Sequence, residues 1–303
     1  MKDVKKTVII LILNLTAMML VAQSDIRLNN DWTKTYIINP ASITDQYLWE
    51  FNLSDREQWV GVQGAPRTDF LSGTLYLDEL NTQFGIKLWY DKIGVTTTCD
   101  ADLTYAYALS LNKYWKLNMG LGLSFQMLGY DVSKVNSLTA NDPAVLTRLI
   151  NENNINSEIG FELISKYYKF GVSSKNIFSL FAPINKLYTN TNYIYGMYRD
   201  YTHDYINLGY GVCGIQYSNM YQAEFNLTGY FKSTLQTNPF QLGLVYRTWG
   251  EVGVLVGLDL SHNFRMSYSY DYNFSGISNA SFGTQELMLT YRVDKVFKCK
   301  NCW

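Results

Sequence analysis

The segment Phe240–Val293 reads FQLGLVYRTWGEVGVLVGLDLSHNFRMSYSYDYNFSGISNASFGTQELMLTYRV. Read at every second residue, it resolves into runs. Leu242, Leu244 and Tyr246 form one; Val252, Val254, Val256, Leu258 and Leu260 the next. Met266, Tyr268, Tyr270 and Tyr272 follow, then Leu287, Leu289, Tyr291 and Val293. Between them stand Gly243, Gly253, Gly257, Ser267, Ser269, Asp271 and Thr290. Alternation of period two places one set on each face of a strand. The breaks at Trp249–Glu251, Ser261–Asn263 and around Gly276–Ser281 are short and polar, so the runs form an antiparallel meander. Its apolar face is buried against a second sheet or turned to lipid in a closed barrel.

The same alternation recurs upstream. Tyr47–Leu53, Thr68–Leu77 and Gln83–Tyr90 read as strands. So do Leu103–Leu111, Leu117–Phe125, Ile155–Ile164, Lys169–Ser174, Tyr205–Tyr217 and Tyr221–Phe231. Asn176–Tyr201 is ambiguous, with a strand near Tyr188–Met197 if the strand number is to be even, as it is in single-chain bacterial barrels. The count is about 14, within a range of about 12 to 16. Clear strands run roughly nine residues or more, enough for a tilted crossing, whereas sandwich strands are nearer five or six. The expected fold is therefore all-β: a transmembrane antiparallel up-and-down β-barrel over residues 47–293.

Composition agrees. Of 303 residues, 25 are Tyr and 7 Trp, against 5 Pro. Tyr and Trp suit interfacial belts, where the ring sits at headgroup depth and its polar tip reaches water. The net charge of -1 points to neither nucleic acid nor acidic lipid. Residues 1–22 read as a cleaved signal peptide: Lys2, Lys5 and Lys6, then the apolar Val8–Leu15 and Ala17–Val21, with a cut after Ala22. Beyond residue 22 no apolar run is long enough for a spanning helix. Export without spanning helices, together with alternating Tyr-rich strands, leaves a periplasmic protein, a secreted protein or an outer-membrane barrel, and strand length favours the outer membrane. Residues 23–46 read as an irregular periplasmic segment with a turn at Asn39-Pro40, and residues 294–303 as a tail.

The second face of the clear strands is small and mildly polar, with few charges. Such a lining suits a lumen into which another piece of backbone packs, because glycine allows close approach; glycine also relieves strain in a curved wall. Both readings stand, and an occluded lumen is expected. The candidates for the packed piece are Gln23–Asp45, Tyr130–Asn153, whose centre Pro143–Ile150 suits a short helix, and Asn176–Tyr201.

Catalytic patterns are scarce. His203 and His262 lie in polar turns, far apart, and neither has a second ligand at metal spacing. There is no Gly-x-Ser-x-Gly, phosphate loop or His-Glu-x-x-His. No enzyme, metal or cofactor is expected. Cys299-Lys300-Asn301-Cys302 is a lone C-x-x-C, either a local disulfide in an oxidising compartment or incidental thiols of a tail. Trp303 ends the chain as a barrel's terminal aromatic would, but Tyr291–Phe297 is a better placed strand-end signal.

Several short motifs occur in a fixed order: Asn39-Pro40-Ala41, then Arg56-Glu57-Gln58-Trp59 followed by Gly64-Ala65-Pro66, and near the end Tyr246-Arg247, Tyr268-Ser269-Tyr270-Asp271 and Gly283-Thr284-Gln285-Glu286-Leu287. In these the chain resembles the PorP/SprF-type membrane proteins of type IX secretion and gliding motility. It departs where Ser42-Ile43-Thr44 replaces the usual glycine, and where Thr284-Gln285-Glu286 replaces Ser-His-Glu. The resemblance implies a non-enzymatic outer-membrane barrel. It also implies support for type IX secretion, or retention of an adhesin-like cargo with a type B C-terminal domain at the cell surface, with other type IX components and membrane lipid as further partners. Tyr188, Tyr193, Tyr195, Tyr198 and Tyr201 crowd one segment and are either aromatic anchors for that partner on outward loops or an interfacial girdle. The alternative function is a transport barrel for small or apolar solutes.

Overall fold

The computed structural model describes residues 27–130, 152–181, 189–232, 239–248, 250–274 and 276–295. They form 14 antiparallel strands, each paired with its neighbours in chain order, and the last pairs with the first to close a barrel. The strands are β1 (Trp49–Glu57), β2 (Arg67–Leu77), β3 (Thr82–Ile93), β4 (Thr96–Ser110) and β5 (Lys116–Tyr130). Then come β6 (Glu152–Ile164), β7 (Tyr168–Lys175), β8 (Thr191–Arg199), β9 (Ile206–Tyr217) and β10 (Met220–Phe231). The meander quoted above supplies β11 (Phe240–Arg247), β12 (Glu251–Asp259), β13 (Phe264–Asn273) and β14 (Thr284–Val293). The ambiguous run is a strand, β8. The seam between β1 and β14 is paired along its whole length, from Trp49↔Val293 to Glu57↔Gln285.

The apolar set of every clear run points outward. Leu242, Leu244, Tyr246, Tyr268, Tyr270, Leu287, Leu289 and Tyr291 are all exposed on the outer wall. Hydrocarbon satisfies such a face, and closure leaves no unpaired strand edge inside it. Two stacked sheets sharing an oily middle would have buried these same side chains.

β1 begins and β14 finishes at one end, termed here the near end. Its turns are short, such as Asp78–Asn81 and Leu260–Asn263. The far end carries the longer connections, including 58–66, 131–151, 176–190 and 274–283. In outer-membrane barrels short turns face the periplasm and long loops the outside.

The second face is not as neutral as the clear strands suggest. Glu50, Arg56, Lys87, Asp91, Asp102, Glu158, Glu162, Glu224, Arg247, Asp271 and Glu286 all point inward and are buried. Many of them lie near strand ends, and Glu158 and Glu162 alternate with Ile159, Phe161 and Leu163 in β6. The N-terminal segment also differs from its expected periplasmic setting. From Leu28 to Ser42 it lies inside the barrel, with most of its residues buried, as two 3-10 turns (Asn29–Trp32 and Thr35–Ile37) and a further turn at Asn39-Pro40-Ala41. The signal peptide, Pro143–Ile150, Tyr188, Cys299 and Cys302 lie outside the described residues, as does the tail beyond Lys295.

Candidate functional site

The lumenal segment and the wall around it are the site this chain builds. The segment descends from Arg27, among side chains of the far half, to Asp45 at the near end, where Lys116 pairs with it at 3.0 Å. At the top, Asn29 and Asn30 enter a cluster of charges. Glu286 accepts the Asn29 amide N–H at 2.5 Å and the Asn30 Nδ2 at 2.7 Å. Asn29 Nδ2 also donates to Asp271 at 2.7 Å and to Ser269 at 2.8 Å. Ser267 donates to Asn30 Oδ1 at 2.7 Å. Arg56 donates to the Arg27 carbonyl at 3.0 Å and to Asn29 Oδ1 at 3.2 Å, and Arg247 donates to the same Asn29 oxygen.

The wall charges satisfy one another around that core. Arg247 bonds Asp271 at 3.0 Å, Glu224 at 3.1 Å and Glu251 at 3.1 Å. Arg27 pairs with Glu224 and with Asp31. Buried ions are tolerated only when paired and hydrogen-bonded in this way, and removing one partner is far costlier than never having had the pair. We call this cluster the latch.

Lower down, the motif Asn39-Pro40-Ala41 has a fitted seat. Gly120 and Gly160 are register partners on β5 and β6. A Cβ on Gly120 would collide with the Pro40–Ala41 peptide, and one on Gly160 with Asn39 Oδ1. Glycine is there for close approach of backbone, one of the two explanations open at the sequence level. Asn39 Oδ1 accepts the Ala41 N–H at 2.9 Å, an Asx-type turn. Its Nδ2 donates to the Phe161 carbonyl at 3.1 Å and to the Tyr195 hydroxyl at 3.0 Å, and Tyr195 donates in turn to Glu162 at 2.6 Å. Ser173 and Lys175 donate to the carbonyls of Ile38 and Ile37 at 2.7 and 2.9 Å. Lys34 pairs with Glu50 at 2.6 Å, and Tyr36 bonds Thr104 at 2.7 Å. An apolar strip, Leu28, Trp32, Ile37 and Ile38, packs with inward Phe70, Trp89, Tyr193, Ile215, Val245 and Met288.

The other motif residues organise the far rim. Gln58, Trp59, Gly64 and Pro66 lie in the β1–β2 loop. Gln58 N–H donates to the Pro66 carbonyl at 2.9 Å, and Gly94 N–H to the Gly64 carbonyl at 3.0 Å. The Val60 amide donates to Gly283 at 2.8 Å and the Phe282 amide donates back to Val60 at 2.8 Å, which clamps this loop to the β13–β14 loop. Trp59 has a φ of 54°, a left-handed value unusual for so bulky a residue.

The tyrosine cluster is redistributed by the alternation of β8. Tyr193 and Tyr195 face the lumen and are buried against the segment, so neither is offered to a partner on an outward loop. Tyr198 and Tyr201 sit at the near end, not on the far loops. Tyr198 packs against Tyr168, Tyr210 and Tyr167, and Tyr167 against Tyr201, the arrangement of an interfacial girdle. His203 and His262 are in separate near-end turns, paired with Asp200 at 3.2 Å and Asp294 at 2.9 Å. The hydroxyl and amide of Thr202 hold the partly buried Asp200 carboxyl below its ordinary value. Cys99 is half-buried in β4 and Cys213 is buried, facing inward from β9.

Residues 20–291 match the family described as type IX secretion system membrane protein PorP/SprF. The chain belongs to that family. Asn39, Pro40, Ala41, Arg56, Arg247, Asp271 and Glu286, which stand in the short motifs quoted above, seat or latch the lumenal segment. The assignment makes the barrel an outer-membrane component of type IX secretion. No curated protein matches the chain. Among solved structures, the Ralstonia pickettii toluene transporter TbuX is similar in fold, with a TM-score of 0.54 at 9% identity over 86% of this chain and 93% of that one. The Pseudomonas putida toluene transporter TodX gives a TM-score of 0.44 at 8% identity, over 90% and 94% of the two chains. At 9% identity the likeness to TbuX is one of architecture alone.

Proposed function

We propose that this barrel is a non-enzymatic anchoring component of type IX secretion, which holds a secreted surface protein with a type B C-terminal domain at the cell surface. The observation that carries this reading is the latch. Arg56, Arg247, Asp271 and Glu286 of the wall hold Asn29 and Asn30 of the chain's own segment, and these four stand in the motifs by which the chain resembles the family. A lumen fitted to a polypeptide in this way is a rigid, closed support for docking rather than a solute path. The test is deletion of the gene, with the surface proteins of whole cells compared before and after. The reading expects one large secreted protein to move from the surface to the medium, or to fail to leave the cell. Unchanged surface retention and secretion would sink it.

A second reading is transport of small apolar solutes. It is favoured by the inward apolar side chains Phe70, Trp89, Leu128, Val245, Leu255 and Met288. Solute uptake into vesicles carrying the purified barrel separates the two: a sustained flux of toluene supports transport and counts against a closed support.

A further inference from the structure

The two ends of the barrel differ in charge. Near-end turns carry Asp78, Glu79, Lys113, Lys166, Asp200, Asp204, Lys232, Asp294 and Lys295. Among the described residues, the far-end turns at 58–66, 94–95, 176–181, 218–219 and 274–283 carry no Asp, Glu, Lys or Arg. On these uncharged turns stand large apolar side chains, and the nearest exposed charges, Arg67 with Asp55 and Asp69, pair with one another on β1 and β2. Phe178, Leu180 and Phe181 follow β7, and Phe181 is 80% exposed. Phe274 and Phe282 flank the β13–β14 loop, and Phe282 is 78% exposed although its ring lies over Gly61. Clustered exposure of this kind marks an interaction face.

We propose that this rim is the docking face for a folded extracellular domain of the secreted partner, met through an uncharged, apolar patch on that domain. The proposal rests on the anchoring reading and names its contact surface. The two Phe groups rise from opposite sides of the mouth, since β7 and β13 are six strand steps apart by way of β10 and eight by way of the β1–β14 seam. Strands about 4.8 Å apart, tilted and closed as 14, give a mouth on the order of 25 Å across. That matches the roughly 30 Å breadth of a small domain, which would touch both groups at once. Anionic lipid headgroups would call for Lys and Arg on these turns, and the described turns have none. The loops are also held ready: the Val60–Gly283 and Phe282–Val60 hydrogen bonds fix the β13–β14 side before any partner arrives.

The test uses the full chain in its own outer membrane. p-Benzoylphenylalanine is placed at Phe181 or Phe282, and at the near-end positions Leu80 and Tyr114 as controls. In parallel, Phe181→Ser/Phe282→Ser is compared with Phe181→Ser alone and with gene deletion, with barrel assembly checked by heat-modifiable migration. The expected result is that both far-end sites crosslink to the protein whose surface retention depends on the gene, and the control sites do not. Retention should fall about ten-fold or more in the double variant, as for loss of aromatic anchors. Crosslinks to lipid alone, or none, would overturn the proposal, because the rim would then be a membrane anchor or a free surface. Full retention in the assembled double variant, with retention lost on deletion, would overturn this surface and leave the anchoring reading standing. Retention unaffected by deletion would remove both.

Discussion

Arg56 of β1 and Glu286 of β14 are register partners across the seam that closes the barrel, and Asn29 of the lumenal segment is hydrogen-bonded to both. The residue that meets the wall at its closure is thus also the point where the interior is fastened. Glu286→Ala removes the acceptor for the Asn29 and Asn30 amides and the Asn30 side chain, and takes a neighbouring negative charge from Arg56. Breaking a buried pair of this kind costs about 3–5 kcal/mol. The barrel ladder does not depend on that side chain. The variant should therefore still assemble, while a thiol at Thr33→Cys, in a background lacking the native cysteines, reacts at least about ten-fold faster with a maleimide. Equal labelling in both would show that the latch holds nothing.

Gly120→Val should unseat the Asn39-Pro40-Ala41 turn, because its side chain occupies the place of the Pro40–Ala41 peptide. Overpacking of a fitted site costs about 1–3 kcal/mol. Gly276→Val, where an added Cβ meets nothing, is the control. Lower resistance to urea in the first and none in the second is expected. Identical unfolding midpoints would mean that the glycine face serves curvature only.

Leu244 is mid-strand in β11 and faces outward. Leu244→Arg should lower stability in lipid vesicles by about 2–4 kcal/mol, the cost of a charge on the lipid face near the midplane. The same substitution should matter much less in a detergent micelle with a water-rich surface. A neutral effect in vesicles would contradict the outer wall assigned to the Leu/Val/Tyr set.

Arg247→Ala deprives Glu224, Glu251 and Asp271 of their shared cation and Asn29 of a donor. In planar bilayers the parent barrel should conduct little. The variant should show frequent large openings as the segment leaves its seat, and deletion of residues 27–44 should hold the pore open. Large steady conductance in the parent would end the view of the segment as a closure.

The sequence made the wall legible because period-two alternation is a local signal: β4, β5 and β11–β14 announce themselves without any tertiary information. β8 was readable only through strand parity, since Thr191–Arg199 carries tyrosine on both faces. Its faces then decided the fate of the tyrosines, and Tyr193 and Tyr195 went inward where an exposed cluster had been expected. Gln23–Asp45 was among three candidates for the lumen because it is polar and irregular, but polarity alone could not rank them. The latch was invisible for a different reason. Asn29, Arg56, Arg247, Asp271 and Glu286 are spread over most of the chain, and only barrel closure brings them to one point. Arg56, Arg247, Asp271 and Glu286 stand in the short motifs quoted above, which do not say what these residues touch, and Asn29 stands in none.

The cage around the lumenal segment has a consequence for biogenesis. At the latch the grips come from β1, β11, β13 and β14, so the Asn29–Asn30 end has no complete binding place on a half-built sheet. That end can be seated only after the first and last hairpins have met. Its protection from a protease would therefore time the final step of maturation, and a barrel stalled with an open side would betray itself by a cleavable leader.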